Sequence, residues 1–142
     1  MAILTIHTAS YNRAYILGKA YESLKAQTCK DFEWIISDDG SSDNTEELVR
    51  GWQKEDNGFE IIYSKLPHVG FPRALNDGIR LANTDWFMML DSDDYLMPET
   101  VETLIPWLFI RHRHRSVSTR PTQTLWMACC SIYSWVLRWP WS

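Results

Sequence analysis

Three carboxylates fall within four positions at Asp91, Asp93 and Asp94, inside the stretch Leu90-Asp91-Ser92-Asp93-Asp94. Like charges this close repel one another unless something positive sits among them. A divalent metal holding phosphates is the simplest such thing: Mg²⁺ or Mn²⁺ takes oxygen ligands and completes its shell with substrate phosphates and water. The plainer reading is an acidic turn between a strand and a helix, its charges solvated. Taken alone, that turn is the safer reading. What decides is what the rest of the chain places near it.

Two more polar clusters carry candidate chemistry. In Asp38-Asp39-Gly40-Ser41 a carboxylate can accept the N–H of a nucleobase such as uracil, or it can cap a helix-entry turn; the residues weigh evenly. In Ser10-Tyr11-Asn12-Arg13, Tyr11 can stack on a base, although packing at the rim of a core is the commoner use of tyrosine. Ser10 and Asn12 serve equally well as turn residues. Arg73 follows Gly70-Phe71-Pro72, where a cation near a helix N-terminus can bind a diphosphate. A solvated arginine is its ordinary alternative. Zinc is not indicated, because His112 and His114 alternate with arginines and His7 and His68 read as structural. Phosphate-cradling glycine loops and a Gly-x-Ser-x-Gly elbow are absent from the sequence.

These clusters must be positioned by regular elements. Ile3–Thr8, Phe32–Ser37, Phe59–Tyr63 and Trp86–Leu90 are apolar, β-rich runs that read as strands. Between them, Ala14–Ala26 reads as a helix with Ile16, Leu17, Ala20 and Leu24 inward. Asp43 and Glu46 resemble a capping box, opening a helix whose apolar side is Leu48, Val49 and Trp52. A third helix is predicted over Arg73–Ala82, with Ala74, Leu75, Ile79 and Leu81 or Ala82 inward. Gly78 inside it costs about 1 kcal/mol against Ala, which points to a close neighbour. Pro98 suits the first turn of a fourth helix, with Val101, Leu104 and Ile105 as its apolar side. Strands alternating with helices predict an α/β fold, a mainly parallel sheet with helices on both faces. Ligands then bind at the carboxyl ends of the strands, where all three polar clusters lie.

Composition sets outer bounds. The 142 residues are 45% hydrophobic and 23% charged, ordinary for one globular domain. Residues 1–102 hold nine Lys and Arg and all 18 Asp and Glu; residues 103–142 hold five Arg and no acid. The acidic body argues against nucleic-acid binding. Cys29, Cys129 and Cys130 read as free thiols of a reducing compartment. No signal peptide and no apolar run of about 20 residues is evident. The expected location is cytoplasmic, with the inner face of a membrane as the second choice.

The motifs resemble glycosyltransferase family 2 across roughly residues 2–105. The resemblance is carried by Ser10-Tyr11-Asn12-Arg13, Gln27-Thr28 before Asp31-Phe32-Glu33, and Asp38-Asp39-Gly40-Ser41-Ser42-Asp43-Asn44-Thr45. Ala74-Leu75-Asn76-Asp77-Gly78-Ile79 after Gly70, and the acidic turn itself, complete it in the family's order. It implies a GT-A fold, a Rossmann-like sheet that binds a nucleotide-sugar, often UDP-linked, with a divalent metal. Tyr11 would lie near the base and Asp39 would bond it. Asp91 and Asp93 would form the DxD motif, with Asp94 beside it. Ser10, Asn12, Asp38, Arg73 and Ser92 complete the expected donor site, and the acceptor would be a saccharide, lipid or protein hydroxyl. Ala9 and Leu75 depart from the common pattern, where Pro or Thr and Arg are usual.

The larger departure is the tail. Residues 1–107 read as the donor-binding part and 108–142 as an atypical tail, irregular, truncated or out of frame from about 105–110. The family's acceptor half carries a carboxylate base, whereas no Asp or Glu follows Glu102 here. Arg111–Arg115 followed by the Trp-containing apolar run Leu125–Leu137 can alternatively lie on a membrane surface. A different class, the phospho-receiver signalling domain, also alternates strands with helices and clusters aspartates. It needs its paired acids after the first strand and a late lysine, and here the last lysine is Lys65. A nucleotide-sugar-binding module without catalysis is the remaining alternative.

Overall fold

The computed structural model describes residues 2–113 and 127–129. Strands β1 (Leu4–Ser10), β2 (Phe32–Asp38), β3 (Glu60–Lys65), β4 (Trp86–Met89) and β5 (Met127–Cys129) form one sheet in the order β3-β2-β1-β4-β5. All four pairings are parallel. The helices are α1 (Ala14–Lys25), α2 (Thr45–Trp52), α3 (Phe71–Leu81) and α4 (Thr100–Arg113). The alternation read from the sequence is therefore the alternation of the fold. Past the expected boundary at residue 107, α4 continues to Arg113 and β5 extends the sheet beside β4. The rest of the tail lies outside the described residues.

Strands β1 and β2 are buried along almost their whole length, as central strands covered on both faces must be. Their two faces differ in chemistry. Leu4 and Ile6 of β1 and Phe32, Trp34 and Ile36 of β2 join the main apolar core with Leu17, Leu24, Val49, Trp52 and Val101 from α1, α2 and α4. An aromatic stack holds these layers together: Tyr21 lies 4.2 Å from Trp52 and 6.3 Å from Trp34, centroid to centroid. The opposite face carries Thr5, His7, Glu33 and Ser37, all buried. Their polar atoms are largely paired: Thr5 Oγ1 donates to Glu33 (2.6 Å), and Glu33 also accepts from the Asn83 backbone N–H (3.0 Å).

Helix α3 covers this polar face, and its buried residues are Ala74 and Gly78. Leu75, Ile79 and Leu81, expected inward, are only half-buried. The reason is what they face. His7 is 1% exposed and sits directly beneath Gly78, with its Nε2 3.1 Å from Ser37 Oγ. Ser37 in turn reaches Asp77 Oδ2 at 3.3 Å. Small residues on α3 let the helix approach an imidazole where larger side chains would hold it off. Burial in this layer lowers the His7 pKa to about 4, against a weaker upward pull from Asp77, so the ring is neutral near neutral pH.

Helix α2 corrects one expectation. Asp43 and Glu46 do not form a reciprocal capping box. Asp43 Oδ1 accepts from the Thr45 N–H at 3.1 Å, while Oδ2 accepts from the first N–H of α1, at Ala14 (3.0 Å). Glu46 instead pairs with Arg50 and Lys65. Asp43 thus ties two helix starts together, a role that depends on a neighbour distant in sequence.

A Cβ at position 78 would lie 2.8 Å from His7 Cγ and closer still to Cδ2 and Nε2. Gly78→Ala is therefore expected to destabilise the fold by about 1–3 kcal/mol through overpacking, against the roughly 1 kcal/mol that helix propensity returns. In a His7→Ala background the same change should cost little. Thermal melts of the four combinations measure the coupling; equal losses in both backgrounds would refute the contact.

Candidate functional site

Three turns meet at the carboxyl edge of the sheet because backbone pairing continues past the strand ends. Asp39 N–H donates to Ser10 O (2.8 Å), Leu66 N–H to Asp38 O (2.8 Å) and Leu90 N–H to His7 O (2.9 Å). The turn after β1 and the turn after β2 are then stitched together. Asn12 takes a left-handed conformation (φ 53°), which Asn tolerates better than most residues. There its N–H donates to Ser41 Oγ (2.8 Å) and its side-chain oxygen accepts from Ser42 N–H (2.8 Å). Arg13 extends to the acidic turn, with Nη1 3.8 Å from Asp93 Oδ2. The convergence expected from the sequence is thus present in space.

The two neighbouring aspartates at the end of β2 have different surroundings. Asp38 is fully buried, and both its oxygens are occupied: Oδ1 by the Ser41 N–H (2.8 Å) and Oδ2 by the Tyr63 hydroxyl. Burial, reinforced by this bond to Asp38, pushes the Tyr63 phenol well above its usual range. Asp38, expected to touch the ligand, is a correction: it holds the turn, and has no surface to offer. Asn12 is likewise spent on the turn.

Asp39 is buried too, at 5% exposure, but under the loop that follows β3. Its Oδ1 accepts from the N–H groups of Val69 (2.7 Å) and Gly70 (3.0 Å). Its Oδ2 meets the Gly70 N–H again and lies 2.9 Å from His68 Nδ1. The loop 66–70 comes this close because Gly40 has no side chain: a Cβ there would lie 2.8 Å from the His68 backbone nitrogen. His68 also covers Tyr11, ring centroids 4.3 Å apart and planes 21° from parallel. Tyr11 remains 44% exposed, so it is no core residue. Gly70, at φ 89°, starts α3, which places the exposed Arg73 in the first turn of that helix, next to the loop Asp39 holds. Ser10 is buried, and its hydroxyl has no partner among the described residues.

At the acidic turn, Asp94 N–H donates to Asp91 O at 3.0 Å, and Ser92 is buried while the three carboxylates are exposed. Partial burial, then the charges of Asp94 and Asp93, raise the Asp91 pKa. The residues do not form a three-carboxylate cage: among the described residues no three His, Cys, Asp or Glu come together as a metal-holding group. The expectation that Asp91, Asp93 and Asp94 jointly ligate a metal is corrected to that extent. The arrangement still fits a cation held by one or two carboxylates and completed by phosphates, the usual habit of Mg²⁺.

Three contributors were not picked out by spacing. His68 read as a structural loop residue, since nothing local shows that it lands on Tyr11 and Asp39. Gln27 and Thr28 carried only the family resemblance, yet they secure the segment after the acidic turn. Gln27 Nε2 donates to Met97 O (2.7 Å), its Oε1 accepts from Val101 N–H (3.1 Å), and Thr28 N–H donates to Pro98 O (2.9 Å). A buried, doubly used Gln at a helix end is the signal that was available.

A profile described as Glycosyl transferase family 2 matches residues 5–120. The chain belongs to glycosyltransferase family 2. It is 33% identical over 105 residues to the GalNAc(5)-diNAcBac-PP-undecaprenol beta-1,3-glucosyltransferase of Campylobacter jejuni, an alignment covering 74% of this chain and 34% of that protein. It is also 33% identical over 100 residues to the chondroitin synthase of Pasteurella multocida, covering 70% and 10%. The structure of S. aureus TarS 1-349 in complex with UDP matches with a TM-score of 0.70 at 25% identity, over 78% of this chain and 33% of that one. The mannosyltransferase PcManGT from Pyrobaculum calidifontis, solved with GDP-Man and Mn²⁺, shares the fold (TM-score 0.68, 22% identity, 74% and 32% covered). This family 2 chain has the GT-A sheet and spans about a third or less of the length of these relatives. Family membership sets the phospho-receiver alternative aside. No helix among the described residues is long and apolar enough to cross a membrane.

The Asp91 pKa shift has a checkable sign. An acid whose folded pKa is raised loses stability for the fold as pH climbs through the unfolded value toward the folded one, because the ionised form is the disfavoured one. Carboxyl-carbon NMR should place the Asp91 midpoint above that of an ordinary aspartate. Asp94→Asn should lower it. A midpoint unmoved by that substitution would remove the like-charge cause.

Proposed function

We propose that residues 1–107 bind a nucleotide-diphospho-sugar, with UDP-sugar favoured, as the donor-binding part of a family 2 glycosyltransferase. The observation that carries this reading is the juxtaposition of Tyr11, Asp39 and the Asp91–Asp94 turn on three adjoining strand ends, linked by the Arg13–Asp93 ion pair. The TarS structures with UDP and UDP-GlcNAc support it, since they share this sheet at 25% and 24% identity.

Each residue has a chemical task in this reading. Tyr11 offers a ring face to the base. Asp39 accepts the base N–H, which favours uracil: its N3 donates, whereas the N3 of cytosine would meet the carboxylate as a second acceptor and leave both unpaired. Arg73, in the first turn of α3, adds a cation where a diphosphate gains from the helix N-terminus. Ser10 and Ser92 supply hydroxyls at the strand ends. Asp91 and Asp93 would hold Mg²⁺ or Mn²⁺, with Asp94 lending charge. When bound, the cation neutralises the diphosphate that leaves as an acceptor hydroxyl displaces it from the anomeric carbon.

The complete reaction asks for a base near the acceptor, and residues 108–142 contain no Asp or Glu to provide one. By this reading the polypeptide alone binds its donor, and transfer draws on a base that residues 108–142 do not supply. The acceptor hydroxyl belongs to a saccharide, lipid or protein, and the GalNAc(5)-diNAcBac-PP-undecaprenol in the name of the Campylobacter relative supports a lipid-linked saccharide. Such an acceptor would place the reaction at the cytoplasmic face of a membrane.

Calorimetry with UDP-, GDP- and CDP-sugars, with and without Mn²⁺, tests the reading. UDP-sugar binding should strengthen with Mn²⁺, and Asp93→Ala should abolish that difference. Failure of every nucleotide-sugar to bind would overturn it, and turnover by the chain alone would overturn the claim of binding without transfer.

A further inference from the structure

Asp39 shows an asymmetry between its two oxygens. Oδ1 is saturated by two backbone N–H groups, from Val69 and Gly70, that belong to the loop itself. Oδ2 is shared between a second, branched contact from Gly70 and the side chain of His68. The backbone donors are fixed by Gly40 and by the start of α3, but the His68 side chain is 61% exposed and free to turn about its own bonds.

His68 Nδ1 lies 2.9 Å from Asp39 Oδ2 and 3.0 Å from the Asp39 backbone oxygen. Both are acceptors, so Nδ1 carries the proton and donates. The same ring lies nearly parallel on Tyr11 at 4.3 Å. A flat heteroaromatic ring with its face on Tyr11 and an edge N–H on Asp39 presents the same two features as the base assigned to this place. Both cannot be there together.

We propose that His68 is an internal occupant of the base subsite, stacked on Tyr11 and bonded to Asp39 in the free chain, and displaced when a nucleobase binds. This rests on the nucleotide-binding reading above. Displacement costs nothing in the backbone: Val69 and Gly70 keep Asp39 Oδ1 in place, and Oδ2 exchanges one N–H donor for another. Tyr11 exchanges one ring for another. The net effect is a lowered apparent affinity, because only the open fraction of molecules can accept the ligand. A subsite filled about nine-tenths of the time weakens apparent binding about tenfold. Every base that needs the open subsite is weakened by the same factor, so self-occupation lowers affinity without changing the order of preference among bases.

The test uses the full 142-residue chain. UDP affinity is measured by calorimetry for wild type and His68→Ala, with CDP alongside. His68→Ala should bind UDP about three- to tenfold more tightly and CDP more tightly by the same factor, leaving their ratio unchanged. Unchanged or weaker UDP binding by His68→Ala would overturn the proposal, because His68 would then be neutral or a ligand contact. A second readout needs no substitution. In the free chain the His68 ring protons should be shifted upfield by Tyr11, and saturating UDP should return them toward the values of a solvated histidine. Ring protons that do not move on UDP binding would also overturn it. If neither protein binds UDP, the nucleotide-binding reading itself falls and this inference falls with it, an outcome distinct from binding without displacement.

Discussion

The double pairing of β1 is the constraint from which the candidate site follows. On one side β1 runs in register with β2 from Leu4↔Phe32 to Ser10↔Asp38; on the other it pairs with β4 from Leu4↔Trp86 to His7↔Met89. Three parallel strands whose starts are aligned must deliver their ends to one edge. Their lengths then set the relief of that edge. Strand β4 stops three residues earlier than β1 on the shared register, so the acidic turn begins lower and rises beside the turn that follows Ser10. Arg13 closes the remaining distance to Asp93. A slip of one residue in β1 would exchange its apolar and polar faces, putting Ile6 under α3 and His7 in the main core. The register is therefore held by burial on both sides.

That two-faced burial also explains why the sheet tolerates so many polar residues inside. The face under α1, α2 and α4 is apolar and aromatic. The face under α3 is built from Thr5, His7, Glu33 and Ser37, whose polar atoms are mostly spent on one another, on Thr84 and on the Asn83 N–H. A buried polar layer costs little when satisfied and a good deal when broken. It fixes where α3 sits along the sheet, and so where Gly70 and the loop 66–70 meet Asp39. Placement of the Asp39 carboxylate is thus traced to a hydrogen-bonded layer on the far side of the strand.

Much of this was legible from residue types. The apolar runs marked four strands, the turn-rich breaks marked their ends, and alternation with helices required parallel pairing. What was not legible depended on partners distant in sequence. Asp43 looked like the cap of its own helix alone and also serves the start of α1, because the turn after β1 lies against it. Leu75 and Ile79 looked like the inner side of α3, but a helix seated on an imidazole needs Ala74 and Gly78 there. The glycine itself was the clue, since a residue that weakens a helix is kept where something else occupies the space. His68 gave no local sign at all. Nor did periodicity foresee β5, a three-residue strand that follows an arginine-rich segment.

Asp38 and Asp39 show how far such reading extends. They are adjacent, chemically identical, and part of one motif, so no argument from type or spacing separates them. Alternation along the strand does. One side chain turns inward, where Ser41 and Tyr63 satisfy it in a dry setting; the next turns to the rim, where loop 66–70 closes over it. The inward carboxylate gives the turn its shape, and that shape aims the outward one. Removing the inward member would leave a half-buried phenol and an N–H without their acceptor, and the turn that presents Asp39 would relax. The position of Asp39 therefore depends on its buried neighbour. The neighbouring turn is held in the same way, by the Asn12 side-chain oxygen on the Ser42 N–H, with Tyr11 under His68 and Arg13 against Asp93 on either side of it.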